Sequence, residues 1–266
     1  MGECPPSSFF PPYMDPPYGV PIYTPIPEVR ILGVYFAQLT FAQALDKLWD
    51  YLYDPLKRNH LVVTPNPEGV MQARRNTSFA LALDMANLRL ADGTGIVLAS
   101  RWLGRPLPQR VRGVDITFAL FKRAKSERPL TAFFLGAAPG VAEKAKRRME
   151  ARYPGVQVVG TQHGFFSPEE EPRILADIKR AKPDVLLVCL GMPRAEIWAN
   201  KHRDLPVRLT LCVGGTLDIM SGNVKLAPPL WRKLGLEWLY RLFKQPSRFK
   251  RMLDIPRFVW AVIRSK

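Results

Sequence analysis

Five turns in the middle of the chain have the composition of phosphate-binding loops. They read VVTPNPEGV, LADGTGIVLAS, FFLGAAPGVAEKA, VCLGMPRAE and CVGGTLDIMSG. Four of the five place glycine directly after an apolar run and just before a helical pattern. Glycine lets the backbone come close to an anion, and the N–H groups at a helix N-terminus point toward it. Together the turns predict a surface that binds phosphate groups.

The elements around these turns alternate between short β-rich runs and helical patterns, which is typical of a parallel sheet with helices on its faces. In such a fold the ligand lies beyond the carboxyl ends of the strands. We predict a Rossmann-like α/β fold with a mostly parallel sheet, helices on both faces and a basic helical appendage at the C-terminus. The predicted strands are Ile31 to Tyr35, His60 to Thr64, Leu130 to Leu135, Val156 to Val159, Asp184 to Leu190 and Arg208 to Val213.

One helix carries a complete start and stop signal. Ser167 is placed as its N-cap, Pro168 stands at the first helical position, and Glu170 completes a capping box. The helix should end at about Ala181, because Pro183 follows and cannot continue it. An apolar strand comes next.

The two ends of the chain differ in charge. The whole chain has 39 Lys and Arg against 23 Asp and Glu, a formal charge of +16. Residues 1–28 hold nine of the 26 prolines and no Lys or Arg, so we predict a disordered leader there. Residues 225–266 hold eleven Lys and Arg against two acids, a net of +9. We therefore divide the chain into the leader, an α/β body over 29–224 and a basic appendage over 225–266.

The appendage interleaves its cations with large apolar residues at helical spacing, which suits an anionic bilayer surface. Each Lys or Arg near an anionic leaflet contributes about 1 kcal/mol, and aromatic rings bury in the headgroup boundary. One alternative is a helical hairpin that packs its aromatic stripe on the body. Another is a nucleic-acid surface, which we do not expect because no recognisable binding motif accompanies it. The membrane candidates are Trp231, Trp238, Lys244, Lys250 and Trp260.

Several classes of protein do not fit this sequence. No window reaches the ~18 uncharged apolar residues of a spanning helix, and the N-terminus does not have the pattern of a signal peptide, so we expect a cytoplasmic protein. The three cysteines and three histidines are too scattered for a disulfide framework or a zinc site. No G-x-G-x-x-G opens the first helix, which argues against a dinucleotide oxidoreductase. We expect neither a metal nor a cofactor.

Five longer blocks carry the most specific signal. They are TPNPE at Thr64 to Glu68, ADGTGIVLASRWLG at Ala91 to Gly104, QRVRGVD at Gln109 to Asp115, FFLGAAPGVAEKA from Phe133 and GLEWLYRLFKQPSRFKR from Gly235. In order and spacing these blocks resemble the WecG/TagA/CpsF family of glycosyltransferases. The resemblance runs from about residue 30 to about residue 256.

The resemblance implies an enzyme that moves an N-acetylmannosamine-type sugar, or a related one, from a UDP donor to a polyprenyl-diphosphate-linked acceptor. The acceptor would carry an N-acetylglucosamine-type sugar at the cytoplasmic face of an anionic membrane. An inverting reaction without a metal is also implied, which agrees with the absence of an Asp-x-Asp pair from this sequence. Nucleic acid is not an expected partner, and the sequence leaves open whether the protein is a monomer or a homo-oligomer.

Roles around Asp92 also follow from the resemblance. An inverting transfer needs a base near the acceptor hydroxyl; Asp92 matches the base proposed for the family, with Thr64 and Asn66 in the same pocket. The alternative for Asp92 is capping of the helix that follows, and a threonine before proline also suits a plain turn. Arg110 can offer a fixed fork to diphosphate oxygens. Asp115 either recognises the sugar or caps a helix.

The glycine-rich turns supply further candidate contacts to a pyrophosphate or a uridine, for which tight packing is the alternative. Asp218 either hydrogen-bonds a ribose hydroxyl or caps the turn before Ser221. Three arginines of the appendage match family positions that are thought to reach the active site or the lipid diphosphate, with general attraction to the membrane as the alternative. The glycines are Gly136, Gly140, Gly191, Gly214 and Gly215, and the arginines are Arg241, Arg248 and Arg251.

Two positions depart from the family pattern. Ala195 stands where the family usually has glutamine, and Leu226 where it usually has arginine. An amide and a cation expected near the substrate are therefore missing, although Arg194 and Lys225 offer cations at adjacent positions. These departures leave a second function open, that of a noncatalytic nucleotide-sugar or membrane adaptor with the same fold.

Overall fold

The computed structural model describes residues 25–127, 129–228, 231, 239–240 and 249–265. The strands are β1 Glu28–Ile31, β2 Val34–Ala37, β3 His60–Val63, β4 Leu88–Arg89, β5 Leu130–Gly136, β6 Val156–Gln162, β7 Val185–Cys189 and β8 Leu209–Cys212. Six of them form one sheet in the order β4-β3-β8-β7-β5-β6, and every neighbouring pair is parallel. The α/β fold with a parallel sheet is confirmed.

Helices cover both faces of this sheet, as predicted. They are α1 Phe41–Leu52, α2 Pro67–Ala73, α3 Thr77–Asp84, α4 Thr94–Trp102, α5 Gly113–Arg123, α6 Val141–Arg152, α7 Glu171–Ala181, α8 Arg194–Lys201, α9 Thr216–Met220, α10 Phe249–Met252 and α11 Asp254–Arg264. Successive side chains of a strand point to opposite faces, so Leu61 and Val63 pack in one hydrophobic cluster and Val62 in the other. The first cluster includes α2, α3, α4, α7, α8 and α11, and the second includes α1, α5, α6 and α9.

The prediction of one strand over Ile31 to Tyr35 is wrong. The segment is a tight hairpin in which β1 and β2 pair antiparallel, apart from the main sheet. Leu32 and Gly33 form its turn with φ of 48° and 98°. Two consecutive residues at positive φ are typical of the turn that joins two-residue hairpins, but leucine at the first of them gives no turn signal.

The helix predicted from Ser167 begins later than expected. Its end at Ala181 is confirmed, but α7 starts at Glu171. The Glu170 carboxylate accepts the Ser167 backbone N–H at 2.8 Å, which is one half of the expected capping box. The Ser167 hydroxyl interacts instead with the Glu169 carboxylate and lowers its pKa. A separate turn therefore precedes the helix.

The C-terminal helix α11 packs against the body beside α2 and α4. Phe258 and Val262 are buried in the first hydrophobic cluster, and Asp254 forms an ion pair of 2.5 Å with Arg75. Part of the predicted appendage is therefore integral to the core. At the other end, β1 starts at Glu28, the last residue of the predicted leader. Every helix in the described ranges is too short or too polar to serve as a membrane span.

Candidate active site

The predicted turns line up along one edge of the sheet. Because the strands are parallel, their carboxyl ends lie together, and the candidate residues follow the sheet order. Asp92 comes after β4, Thr64 after β3, Gly214 after β8, Gly191 after β7 and Gly136 at the end of β5. Strands spaced by about 4.8 Å give a row of about 19 Å along this edge. A row of this length can present contacts to an extended ligand.

Thr64 and Asp92 both adjoin Gly113 at the β3 and β4 end of the row, and we call this strand-end position the crevice. The Thr64 hydroxyl donates to the Cys212 carbonyl at 3.3 Å, and the Gly113 N–H donates to the Asp92 carboxylate at 3.4 Å. A side chain at Gly113 would stand 2.9 Å from the Thr64 hydroxyl oxygen, so only glycine fits between them. Both Thr64 and Asp92 are half-buried. A substrate hydroxyl that enters this crevice meets the two side chains together.

The carboxylate of Asp92 faces a different helix from the one proposed in the capping alternative. The helix that follows it, α4, begins after Gly93 without a side-chain cap. Gly113 is the first residue of α5, so the carboxylate lies at the N-terminus of that helix. The partial positive charge of a helix N-terminus stabilises an ionised carboxylate.

Asn66 and Arg110 border the same crevice. The Asn66 side-chain oxygen caps α2 by accepting the Gly69 N–H at 2.9 Å. Arg110 is half-buried and donates to the Thr94 hydroxyl at 3.4 Å, which places the guanidinium at the first turn of α4. A cation at this place can contact an anion bound beside Asp92.

Asp115 has a defined partner. Both of its carboxylate oxygens accept from the buried Arg112, at 2.5 and 2.6 Å. The start of α5 has no side-chain cap, so helix capping does not explain this residue. The bidentate pair orients the buried guanidinium of Arg112 directly before Gly113. Asp115 thus supports the backbone that holds Asp92.

The glycines of the turns fall into two groups. Gly136 has φ of 138°, and an added Cβ would lie 2.4 Å from the Cys189 backbone, so tight packing explains it. Gly140, Gly191 and Gly214 have φ of 79°, 77° and 53°, and nothing lies within 4 Å of an added Cβ. Their open backbone is the kind that a phosphate can approach. Gly215 precedes α9 and also has room for a side chain.

The backbone carbonyl of Asp218 stabilises the turn that follows it. The Ser221 hydroxyl donates to the Asp218 carbonyl at 2.9 Å, and the Val224 N–H donates to the same carbonyl at 3.0 Å. Its carboxylate lies 3.6 Å from the position of an added Cβ at Gly215 and so points back toward the turn after β8. The turn-stabilising role predicted as an alternative therefore belongs to the Asp218 carbonyl.

The two departures from the family pattern lie in different surroundings. Ala195 is buried in the first hydrophobic cluster. Its neighbour Arg194 donates to the Gly164 carbonyl at 2.6 Å and covers the Phe166 ring at 4.6 Å. Arg194 is therefore engaged with the loop between β6 and α7. Leu226 is half-buried, and Lys225 beside it is exposed.

Most of the appendage candidates lie outside the described residues. This holds for Arg241, Arg248, Trp238 and Lys244, and for the side chains of Lys250 and Arg251 in α10. The Trp231 ring contacts the Tyr240 ring with a centroid distance of 5.9 Å. Trp260 is exposed on α11, and the Arg264 guanidinium covers its ring at 4.0 Å. In the described part of the chain, no group of three or more His, Cys, Asp and Glu side chains is arranged to hold a metal ion.

Glu196 was missed by sequence reasoning. It lies in α8 beside Ala195 with 6% of its surface exposed, and its Oε2 atom has no hydrogen-bond partner in the described structure. Burial raises its pKa to about 7. Its carboxylate adds to the rise in the pKa of the Cys212 thiol, which burial causes in the main. Glu196 therefore lies near the thiol of Cys212, the residue whose carbonyl accepts from the Thr64 hydroxyl. Two sequence signals could have found it: a glutamate between alanines that share the buried face of α8, and the match of Glu196 to the glutamate that follows the family's usual glutamine.

We expect Glu196→Gln to stabilise the protein at high pH. Below its ordinary pKa of 4.5 the carboxyl is neutral in both states. Between that value and about 7 the unfolded chain ionises while the folded chain keeps the proton, so stability falls as pH rises. Above about pH 7 this loss in the free energy of unfolding is complete, at about 3 kcal/mol. Glutamine removes it, so thermal unfolding at about pH 8 should shift upward by roughly 5 °C or more.

The melting temperatures of Glu196→Gln and the wild type at about pH 4 provide the internal reference. The variant should have no higher melting temperature there, because the carboxyl is neutral in both states. Glu127→Gln, at an exposed position, is the matched control and should change the melting temperature little at either pH. An equal shift at both pH values would show that Glu196 does not titrate as described.

Comparison with known proteins identifies the family of this chain. The model of the glycosyl transferase WecG/TagA/CpsF family matches residues 29–266. A relative from Bacillus spizizenii named N-acetylglucosaminyldiphosphoundecaprenol N-acetyl-beta-D-mannosaminyltransferase is 36% identical over 76% of this chain and 78% of its own length. A relative of the same name from Staphylococcus aureus is 32% identical over 90% of this chain and 93% of its own length. With a family match that spans the body and reaches through α11, this chain belongs to the WecG/TagA/CpsF family and is a glycosyltransferase.

Proposed function

We propose that this enzyme transfers an N-acetylmannosamine-type sugar from a UDP donor to a polyprenyl-diphosphate-linked N-acetylglucosamine-type acceptor. The product would enter the assembly of a cell-surface polysaccharide or a teichoic-acid-type polymer. The names of the two relatives support the sugar and the acceptor. The observation that carries the proposal is the crevice in which Asp92 and Thr64 meet at the carboxyl ends of β4 and β3.

In this proposal Asp92 is the general base. Its carboxylate takes the proton of the acceptor hydroxyl as that oxygen attacks the anomeric carbon. The bond from the anomeric carbon to the UDP oxygen breaks on the opposite face, so the configuration inverts and UDP leaves with the electron pair. Thr64 and Asn66 orient the acceptor in the same crevice. Asp92 lies at the strand-end edge where substrates of open α/β folds bind.

The leaving diphosphate needs positive charge, which we assign to the protein instead of a metal. Arg110 lies at the first turn of α4, beside the crevice. The turn at Gly140 opens the twelve-residue helix α6, whose N–H groups and dipole favour an anion. Between Arg110 and the turn at Gly140, the edge of the sheet is bordered by Gly191, Gly214 and Gly215. The arginines 241, 248 and 251 of the appendage would complete the charge around the lipid diphosphate.

We further propose that the enzyme works at the inner face of the cell membrane as a peripheral protein. Its acceptor is a lipid, while no helix in the described ranges qualifies as a span. The strongly basic C-terminal segment and the exposed Trp260 on α11 support binding to an anionic surface. Trp231, Trp238, Lys244 and Lys250 belong to the same proposed surface.

One specific observation supports a different function, that of a nucleotide-sugar or membrane adaptor that does not catalyse transfer. Ala195 and Leu226 remove an amide and a cation that the family usually has, and Arg194 is engaged elsewhere. Such a protein would bind the donor without releasing UDP.

A UDP-release assay separates the two functions. The wild-type protein is incubated with each of several UDP-N-acetylhexosamines and a short-chain prenyl-diphosphate-linked N-acetylglucosamine. We expect release that requires the acceptor, is fastest with the N-acetylmannosamine donor and persists in a metal chelator. Nuclear magnetic resonance of the product should show the anomeric configuration opposite to that of the donor. Donor binding by calorimetry without release from any donor would establish the adaptor instead.

A further inference from the structure

Helix α4 exposes two large apolar side chains next to the crevice. Leu98 is 56% exposed and Trp102 51% exposed, whereas Ile96 and Ala99 of the same helix are buried in the core. Residues four apart lie on one face of a helix, so Leu98 and Trp102 form an outward stripe. A surface helix normally turns polar residues outward, so this stripe is an exposed apolar surface of the kind that marks a contact site.

Helix α11 extends this apolar surface. It adjoins α4, and the Phe258 ring lies 3.9 Å from the position of an added Cβ at Gly95. Phe258 and Val262 face the core, yet Trp260 and Ile263 on the outer side are 58% and 55% exposed. Helix α11 is thus apolar on both its inner and its outer side. We call Leu98, Trp102, Trp260 and Ile263 the apolar face.

The rim of the apolar face is cationic. Arg101 and Arg105 are exposed beside Trp102, and α4 contains no acidic residue. Arg257 and Arg264 are exposed on α11. The one acid of α11, Asp254, is paired with Arg75 and Arg257. Apolar side chains ringed by arginine match the boundary between headgroups and acyl chains of an anionic leaflet.

We propose that α4 and α11 form one contact surface for an anionic lipid bilayer, in which Leu98 and Trp102 of the catalytic body insert beside Trp260 and Ile263. This inference rests on the proposed function and identifies the surface that the lipid-linked acceptor approaches. A second copy of the chain is a poorer occupant, because a two-fold interface through this face would bring the same arginines together.

The position of α4 connects the surface to the reaction. Its first residue, Thr94, contacts Arg110 at the crevice. At 1.5 Å per residue, Leu98 lies about 6 Å and Trp102 about 12 Å along the helix from that point. A bilayer that receives these side chains therefore lies within about 12 Å, along the helix axis, of the Arg110 contact at Thr94. The body itself, and not only the basic tail, orients the crevice toward the membrane.

The test is a double substitution, Leu98→Glu with Trp102→Glu, in the full chain. Binding to vesicles of phosphatidylglycerol and phosphatidylcholine, measured by sedimentation, should weaken about tenfold or more. The matched control, Tyr53→Glu with Leu56→Glu, changes the charge equally at two exposed apolar positions before β3, at the other end of the sheet. It should stay within about twofold of wild type. Leu98→Ser with Trp102→Ser should also weaken binding, without a change in charge.

Several outcomes would overturn the proposal. One is that the two α4 variants bind vesicles as the wild type does. Another is that the Tyr53 and Leu56 control loses as much binding as they do. A third is that light scattering shows a change from dimer to monomer in the α4 variants while vesicle binding stays intact.

UDP release separates this proposal from the proposed function. The glutamate variant should keep release with a soluble short-chain acceptor within about twofold and lose it with an acceptor in vesicles. Should the wild type release no UDP with either acceptor, the function fails while the vesicle measurement still decides the surface.

Discussion

Asp92→Asn should reduce acceptor-dependent UDP release by about 10³-fold while UDP binding stays within about twofold of wild type. Asparagine has nearly the same shape and can still accept the Gly113 N–H through its amide oxygen, so the crevice should keep its geometry. It cannot take a proton from the acceptor hydroxyl at neutral pH. The measurement is steady-state UDP release together with UDP titration by calorimetry.

Asp204→Asn is the control for this substitution. Asp204 is an exposed carboxylate 3.8 Å from Lys179, remote from the crevice in sequence and in the sheet. Its replacement should leave both measurements near wild type. Unchanged turnover in Asp92→Asn would contradict the role of Asp92 as base. Equal losses of turnover and of UDP affinity would assign the residue to donor binding.

Gly136→Ala should destabilise the protein by about 3 kcal/mol or more. Gly136 pairs with Cys189 where β5 and β7 end, and an added Cβ would stand 2.4 Å from the Cys189 carbonyl carbon and oxygen. Its φ of 138° is in addition a conformation that alanine rarely adopts. Because the clash is with backbone, no side chain can move to relieve it. Urea unfolding followed by circular dichroism measures the free energy of unfolding.

Gly140→Ala provides the comparison for this second substitution. Its φ is also positive, at 79°, but an added Cβ meets nothing within 4 Å. The cost should be about 1 kcal/mol of backbone strain. If Gly140 approaches the diphosphate, UDP affinity should fall in this variant although the fold is stable. Similar free energies of unfolding for the two variants would show that contact with Cys189 does not determine the role of Gly136.

Local signals in the sequence were sufficient for most of the fold. Apolar runs alternating with helical patterns predicted the parallel sheet, and the proline after Ala181 marked the end of α7. The start of α7 was misplaced despite a complete capping signal, and the other errors fall where local signals are weak. Strand β4 has only two residues and exists through pairing with β3. The turn between β1 and β2 places Leu32 at positive φ, against the preference of leucine.

By itself, the sequence determined the fold class and the five turns at the strand ends, and through its resemblance to the family it predicted Asp92, Thr64 and Arg110 for one site. The tertiary structure alone decided which groups these side chains face. Thr64 donates to a carbonyl 148 residues away, Asp92 accepts from Gly113 of another helix, and Glu196 is a buried carboxyl. Helix and strand patterns arise from neighbours along the chain, whereas hydrogen bonds, burial and pKa shifts depend on residues that only folding brings together.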